Sequence, residues 1–179
     1  LNMEFSKLSS LKLGEDEFKW VVKNIPFIPQ TYWEWLKSFR YEPSKINVGL
    51  DSEGHLQIDV TDLYYKVTFY EIPVLAIVSE MRNKYRGFNV MTNTMMDILD
   101  KKIDFANENN LKFSEFGTRR RFSAATHEEI AKRLKERCPM CTGTSNVYFS
   151  HKYGMKPTGT FPHEWVMFHA ASFGYKRAN

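Results

Sequence analysis

Sulfur chemistry, membrane-length apolar runs and a strong charge imbalance are nearly absent from this chain of 179 residues. It holds two cysteines, Cys138 and Cys141, in the order Cys-Pro-Met-Cys. Such a pair can be redox-active or half of a zinc site. No further cysteine exists for a second half, and His151 and His163 are not at finger-like spacing. The pair follows a predicted helix, whereas a thioredoxin-like pair sits between a strand and a helix start. Reduced, inert thiols are therefore expected, and no metal site is assigned. No apolar run approaches the roughly 18 residues of a membrane helix. The opening Leu1-Asn2-Met3-Glu4-Phe5 has neither a basic flank nor a continuous apolar stretch. A soluble, cytoplasmic protein without a membrane partner is expected. Charge is nearly balanced, 25 Lys plus Arg against 21 Asp plus Glu giving +4. That excess suits phosphate-rich small molecules or nucleic acid and does not choose between them. Internal repeats and low-complexity segments are also missing.

What is present is apolar and aromatic. Hydrophobic residues make up 42% and aromatics 15%, which implies a packed body of one good core or two small ones. Leu1 at the start and the run 170–179 at the end lead to the expectation of a piece of a longer polypeptide. Helices are expected over 14–23 and 30–39, the second with Tyr32, Trp35, Leu36 and Phe39 on one face. Strands are expected over 46–50, 56–60 and 64–69, the first two joined by a hairpin turn at Asp51-Ser52-Glu53-Gly54. Pro73 opens a helix running from Val74 through Met81 to Arg86, and a longer helix covers Met91 to Asn109. From Lys112 extended pieces and helices alternate: a strand over 112–116, a helix over 127–137, a strand over 141–145, a helix over 147–153, a strand over 156–160 and a helix from Glu164. Thr126 and Glu129 read as a capping box for the helix that starts near His127. Residues 1–110 thus read as an α+β domain and 111–179 as the opening βα units of a barrel-like α/β domain.

Three Gly-Thr turns end those last strands. Phe116-Gly117-Thr118-Arg119-Arg120 offers a stacking ring and two guanidinium groups suited to carboxylate or phosphate. Equally, it reads as a basic loop meeting solvent or nucleic acid. Gly143-Thr144-Ser145-Asn146 supplies hydroxyls and backbone N–H groups before a helix, where anions sit, although such a run is first of all a cap. Gly159-Thr160-Phe161-Pro162 leads to His163, whose roles are acid/base, nucleophile, or a structural histidine beside Trp165. His55, His127, His151 and His169 lack such company and are read as structural.

Taken together, Glu115-Phe116-Gly117-Thr118-Arg119-Arg120-Arg121-Phe122-Ser123, Gly143-Thr144-Ser145-Asn146 and Gly159-Thr160-Phe161-Pro162-His163-Glu164-Trp165 resemble bacterial nicotinate phosphoribosyltransferases in order and spacing. The similarity extends upstream through 35–40 and 70–81 and so covers nearly the whole chain. It implies a type II phosphoribosyltransferase fold, an α/β sandwich domain packed on an irregular α/β barrel. It also implies an activity: nicotinate and phosphoribosyl pyrophosphate give nicotinate mononucleotide and pyrophosphate in NAD salvage, coupled to ATP hydrolysis, with Mg2+, in a homodimer. His163 matches the family's phospho-acceptor. Phe116 would stack on the pyridine, Arg119 and Arg120 would hold phosphate or carboxylate, and Thr160 matches a nicotinate-contacting threonine. Gly117, Thr118, Thr144, Ser145 and Asn146 complete the implied substrate site. Nicotinamide-using relatives carry an aspartate where this chain has Ser145, so the serine favours the acid substrate.

The family's base-covering tyrosine would precede Leu1, and the acid that orients the histidine would follow Asn179. Glu164 does not replace that acid, because adjacent side chains diverge. Residues 1–179 alone are expected to be inactive, an expectation that measurable product formation would overturn. The rivals are a nicotinamide or quinolinate enzyme, and a basic nucleic-acid module using Arg119 to Arg121.

Overall fold

The structure is a computed structural model and describes residues 1–88 and 92–177. Helix α1 (Asn2–Ser6) runs into a 3-10 turn at Lys7–Ser10, and α2 (Glu15–Asn24) and α3 (Gln30–Ser38) follow. The amide of Gly14 donates to Glu17 Oε2 at 2.8 Å, and Glu15, Asp16 and Glu17 place negative charge against the positive end of α2. Pro29 precedes α3, where its fixed φ suits a helix start. Strands β1 (Ile46–Leu50) and β2 (Leu56–Val60) pair antiparallel, Ile46 opposite Val60 and Leu50 opposite Leu56. In the turn between them Asp51 Oδ1 accepts from the amides of Glu53 and His55 at 2.9 Å, and Gly54 takes φ +82°, a conformation glycine adopts without a Cβ clash.

The expected strand over 64–69 is a helical turn instead, α4 (Tyr64–Val67). Alternating aromatic and β-branched residues favour a strand in isolation. Here Tyr65 and Phe69 both pack on Trp35, with ring centroids at 5.7 and 5.5 Å. An extended chain would hold residues four apart about 13 Å from each other, too far to share one indole ring. Tertiary packing decides the outcome. Helix α5 (Glu71–Tyr85) starts before its expected first residue, with Pro73 in the first turn where its missing N–H costs nothing. Helix α6 (Asn93–Glu108) is capped by Thr92, whose Oγ1 accepts from the amide of Met95 at 3.3 Å. Met91, the expected first residue of that helix, lies outside the described residues.

The first core gathers Phe5, Leu8, Phe39, Ile46, Tyr70 and Val74, drawn from α1 and the 3-10 turn after it, the end of α3, the hairpin and the start of α5. A second, Val21, Ile25 and Trp33, joins α2 to α3. A third, Ile103, Ala106, Leu134 and Cys138, joins α6 to the second half. That half contains β3 (Phe113–Glu115), α7 (Ala124–Arg137), β4 (Cys141–Thr144), α8 (Val147–Tyr153) and α9 (His163–Phe173). Strands β3 and β4 run parallel, and a single parallel bridge from Thr144 to Pro157 adds a third segment beside them. The strand expected over 156–160 reduces to that bridge.

The cap of α7 also differs from expectation. Ser123 is the N-cap, its Oγ accepting from the amide of Thr126 at 3.1 Å, so the helix begins a turn earlier than the Thr126 and Glu129 pattern indicates. Both cysteines are free thiols. Cys138 is buried and its Sγ donates to Asn107 Oδ1 at 3.5 Å, and burial pushes the Cys141 thiol above its ordinary range. Among the described residues no helix is long and apolar enough to cross a membrane.

Candidate functional site

The parallel register brings the ends of three chain segments together. Ser145 N donates to Glu115 O at 2.9 Å, Thr144 N to Lys156 O at 3.0 Å and Thr158 N to Thr144 O at 2.9 Å. Gly143 and Thr144 close β4 itself rather than forming a turn after it, and the three Gly-Thr segments share one edge, side by side. The glycines at two of them are needed for space, not for an unusual φ. A Cβ on Gly117 would lie 2.7 Å from Glu115 Oε1, and one on Gly143 would lie 2.3 Å from Thr158 Oγ1 and 2.4 Å from Lys156 O.

One buried carboxylate holds the first two turns. Glu115, at the end of β3 and 7% exposed, accepts on Oε1 from His127 Nε2 at 2.9 Å and from the amide of Gly117. Its Oε2 accepts from Thr144 Oγ1 at 2.6 Å. Burial alone would raise the Glu115 pKa, but the donors from His127, Thr144 and Gly117 outweigh it and hold the carboxyl below its ordinary range. His127 is 3% exposed, its ring edge-on to Phe149 at 4.9 Å, and its Nδ1 has no partner among the described residues. Its structural reading stands, yet neither Glu115 nor His127 was assigned a part in the site. A signal was there: His127, Ile130, Ala131 and Leu134 follow the i, i+3, i+4, i+7 stripe that faces a core. A histidine on that stripe needs a polar partner inside.

The residues expected to bind substrate fall into two groups. Phe116 is 48% exposed, Ser145 half-buried, and Arg120, Thr160 and His163 are exposed. Gly117 is exposed at the turn, while Thr144 is fully buried at 0%. The Thr144 hydroxyl donates to Glu115 and accepts from the amide of Asn146 at 3.0 Å, so it supports the turn from within. Asn146 caps α8, its Oδ1 accepting from the amide of Phe149 at 3.1 Å, and its Nδ2 donates to Thr118 Oγ1 at 3.2 Å across the two turns. Arg119 is paired with Glu71 of α5 at 2.5 Å, and Arg121 lies 3.7 Å from Glu80. Helix α5 grips the same loop through Ser79 Oγ to Arg121 O and Asn83 Nδ2 to Phe122 O, both at 2.9 Å.

His163 is the first residue of α9, after Pro162. Its neighbour Glu164 turns toward α4 and accepts from Thr68 Oγ1 at 2.9 Å, as expected of side chains that diverge. Phe168 stacks on Tyr64 at 4.0 Å and 13°, so α4 carries the helix that begins with His163. A cleft of about 830 Å³ opens between α2, α3 and the turn edge, and Ser145 and Thr160 line it with Trp20, Tyr32 and Tyr148. Phe116, Arg119 and His163 lie outside its lining. Among the described residues no group of three or more His, Cys, Asp or Glu stands where it could hold a metal ion.

Comparison with known proteins accords with this geometry. The pattern of the nicotinate phosphoribosyltransferase (NAPRTase) N-terminal domain matches residues 1–79, and that of the nicotinate phosphoribosyltransferase (NAPRTase) family matches residues 111–178. The nicotinate phosphoribosyltransferase of Methanosarcina acetivorans is 35% identical over 187 residues, covering 96% of this chain and 46% of the relative. That of Salmonella typhi is 37% identical over 169 residues, covering 90% and 42%. The crystal structure of the Porphyromonas gingivalis nicotinate phosphoribosyltransferase superposes with a TM-score of 0.92 at 35% identity, over 99% of this chain and 46% of that one. That of Vibrio cholerae gives 0.88 at 27% identity, over 98% and 45%. The chain spans about half the length of the curated relatives it matches. Its fold is the mixed α/β architecture of those structures, that of type II phosphoribosyltransferases. The chain belongs to the nicotinate phosphoribosyltransferase family.

Proposed function

We propose that the protein transfers a phosphoribosyl group from phosphoribosyl pyrophosphate to nicotinate, forming nicotinate mononucleotide and pyrophosphate in NAD salvage. ATP hydrolysis is coupled through a phosphohistidine at His163. The observation that carries this reading is the shared edge of the three Gly-Thr turns on adjacent parallel segments. α/β folds concentrate their chemistry beyond the carboxyl ends of parallel strands.

In the transfer the pyridine nitrogen bonds to the anomeric carbon of the sugar as that carbon's bond to a pyrophosphate oxygen breaks. Positive charge grows on ring and sugar while an anion departs, so an oriented ring and fixed cations lower the barrier. The half-exposed Phe116 offers the ring a face, the exposed Arg120 offers positive charge toward solvent, and an arriving anion competes with Glu71 for Arg119. Ser145 leaves room for a carboxylate substituent that an aspartate would repel. In the coupled step an imidazole nitrogen of His163 takes the γ-phosphoryl group as its bond to ADP breaks. Mg2+ would travel on the substrates' phosphates, its usual ligands in phosphoryl chemistry. The reading includes a cytoplasmic homodimer, with residues 1–110 in the sandwich domain and 111–179 opening the barrel.

Incubation with ATP labelled at the γ-phosphate tests the phospho-acceptor: acid-labile label appears on the protein and is lost in His163→Asn. A stable, unlabelled protein whose binding to RNA or DNA falls steeply with salt would favour the basic-module reading.

A further inference from the structure

The Glu115 carboxylate, although itself buried, binds the Gly117 amide of one turn and the Thr144 hydroxyl of the next. We infer that Glu115 and His127 are positioning residues for the pyridine substrate, fixing the Phe116 turn and the Ser145 turn at one separation; this rests on the function proposed above. Both groups are more than nine-tenths buried, at 7% and 3% exposure, and act through the turns rather than on substrate directly. Two substrate-facing residues, Phe116 and Ser145, nevertheless sit next in sequence to a residue bound to this carboxylate. Phe116 lies between Glu115 and Gly117, whose amide donates to Oε1, and Ser145 follows Thr144, whose hydroxyl donates to Oε2. Ser145 is further tied through its own amide to Glu115 O. The stacking face and the substituent-facing hydroxyl are therefore referred to the two oxygens of one group.

His127 completes that device from the opposite side. Glu115 only accepts when ionised, so the hydrogen between them resides on His127 Nε2. The imidazole comes from α7, packs edge-on to Phe149 of α8 and presses the carboxylate toward both turns. Its other nitrogen, Nδ1, is buried with no partner among the described residues, so Glu115 is the one polar group that holds the ring there. A neutral apolar residue of similar size would fill the same space but leave Oε1 with Gly117 alone. The Phe116 turn would then be free to shift against Ser145. The third turn is tied to Thr144 through backbone groups and His163 is carried by α4, so both are independent of His127.

The test uses the intact natural polypeptide with two matched pairs, His127→Leu with His127→Gln and Thr144→Val with Thr144→Ser. Leucine and valine remove a donor to Glu115, whereas glutamine and serine keep one. Loss of a donor raises the KM for nicotinate about tenfold, as expected when a ring is held out of register. The KM for phosphoribosyl pyrophosphate and the acid-labile label on His163 stay within about twofold, and the Gln and Ser variants return most of the nicotinate KM. Nicotinate affinity by calorimetry follows the same order. Should His127→Leu fail to fold, the Thr144 pair reads the same carboxylate. Wild-type nicotinate KM in both donor-less variants overturns the positioning role, as does an equal fall of every constant and of the label without rescue. An unaltered polypeptide that makes no nicotinate mononucleotide overturns the proposed function and this inference with it.

Discussion

Glu115 balances two opposing effects, and pH separates them. Burial raises its pKa, but three donors lower it further, so the folded carboxyl titrates below the ordinary value of about 4.3. A depressed pKa stabilises the fold fully above the unfolded value, and that contribution is lost as pH falls through the folded one. Urea midpoints measured from neutral pH downward therefore drop on the acid side, and Glu115→Gln flattens that drop at a cost of roughly 1–3 kcal/mol near neutrality. An unchanged acid limb in the variant would show that the charge is not held there. The glycines give a second residue-scale prediction. Gly143→Ala must displace backbone at Lys156 and Gly117→Ala must displace the Glu115 carboxylate, each costing roughly 1–3 kcal/mol, whereas Gly159→Ala meets nothing within 4 Å and stays within about 0.5 kcal/mol. Thermal unfolding of the three variants orders them. Ser145→Asp lowers kcat/KM for nicotinate about tenfold or more and shifts preference toward nicotinamide; unchanged constants for both substrates would refute the charge argument.

Elements were legible where periodicity and turn chemistry agree. The hairpin over 46–60 stands as its alternation and Asp51 turn indicate, and α8 covers the expected 147–153. The strand expected over 156–160 reduces to a single bridge, and α4 and the start of α7 also differ from expectation. The residues of α4 carry strand-forming side chains whose fate depends on Trp35, which is remote in sequence. The sequence pattern puts the cap of α7 at Thr126, and only the geometry shows that Ser123 holds it. That choice is measurable: Ser123→Ala costs about 1 kcal/mol through the lost cap, and Glu129→Ala, on an exposed helix position, costs under about 0.5 kcal/mol. Equal costs, read from chemical denaturation, would return the cap to the Thr126 pattern.

Across the whole molecule, the chemistry-bearing motifs were readable as a set because Gly-Thr recurs at all three segments of the parallel edge. Their support was not readable. Glu115 and His127 lie 12 residues apart with no motif joining them, and a buried carboxylate becomes visible only when the parallel register brings Thr144 to it. The pairing of Arg119 with Glu71 was likewise hidden, since it joins the loop to α5 across 48 residues. The molecule thus brings the half-exposed Phe116 ring, Ser145 and the loop arginines to neighbouring turns, with His163 starting the helix that α4 holds. The decisive measurement is product formation by the intact natural polypeptide given phosphoribosyl pyrophosphate, ATP and an equimolar mixture of nicotinate and nicotinamide. Nicotinate mononucleotide as the main product, formed faster with ATP than without it, is the predicted result. Nicotinate left untouched while nicotinamide is consumed would contradict it.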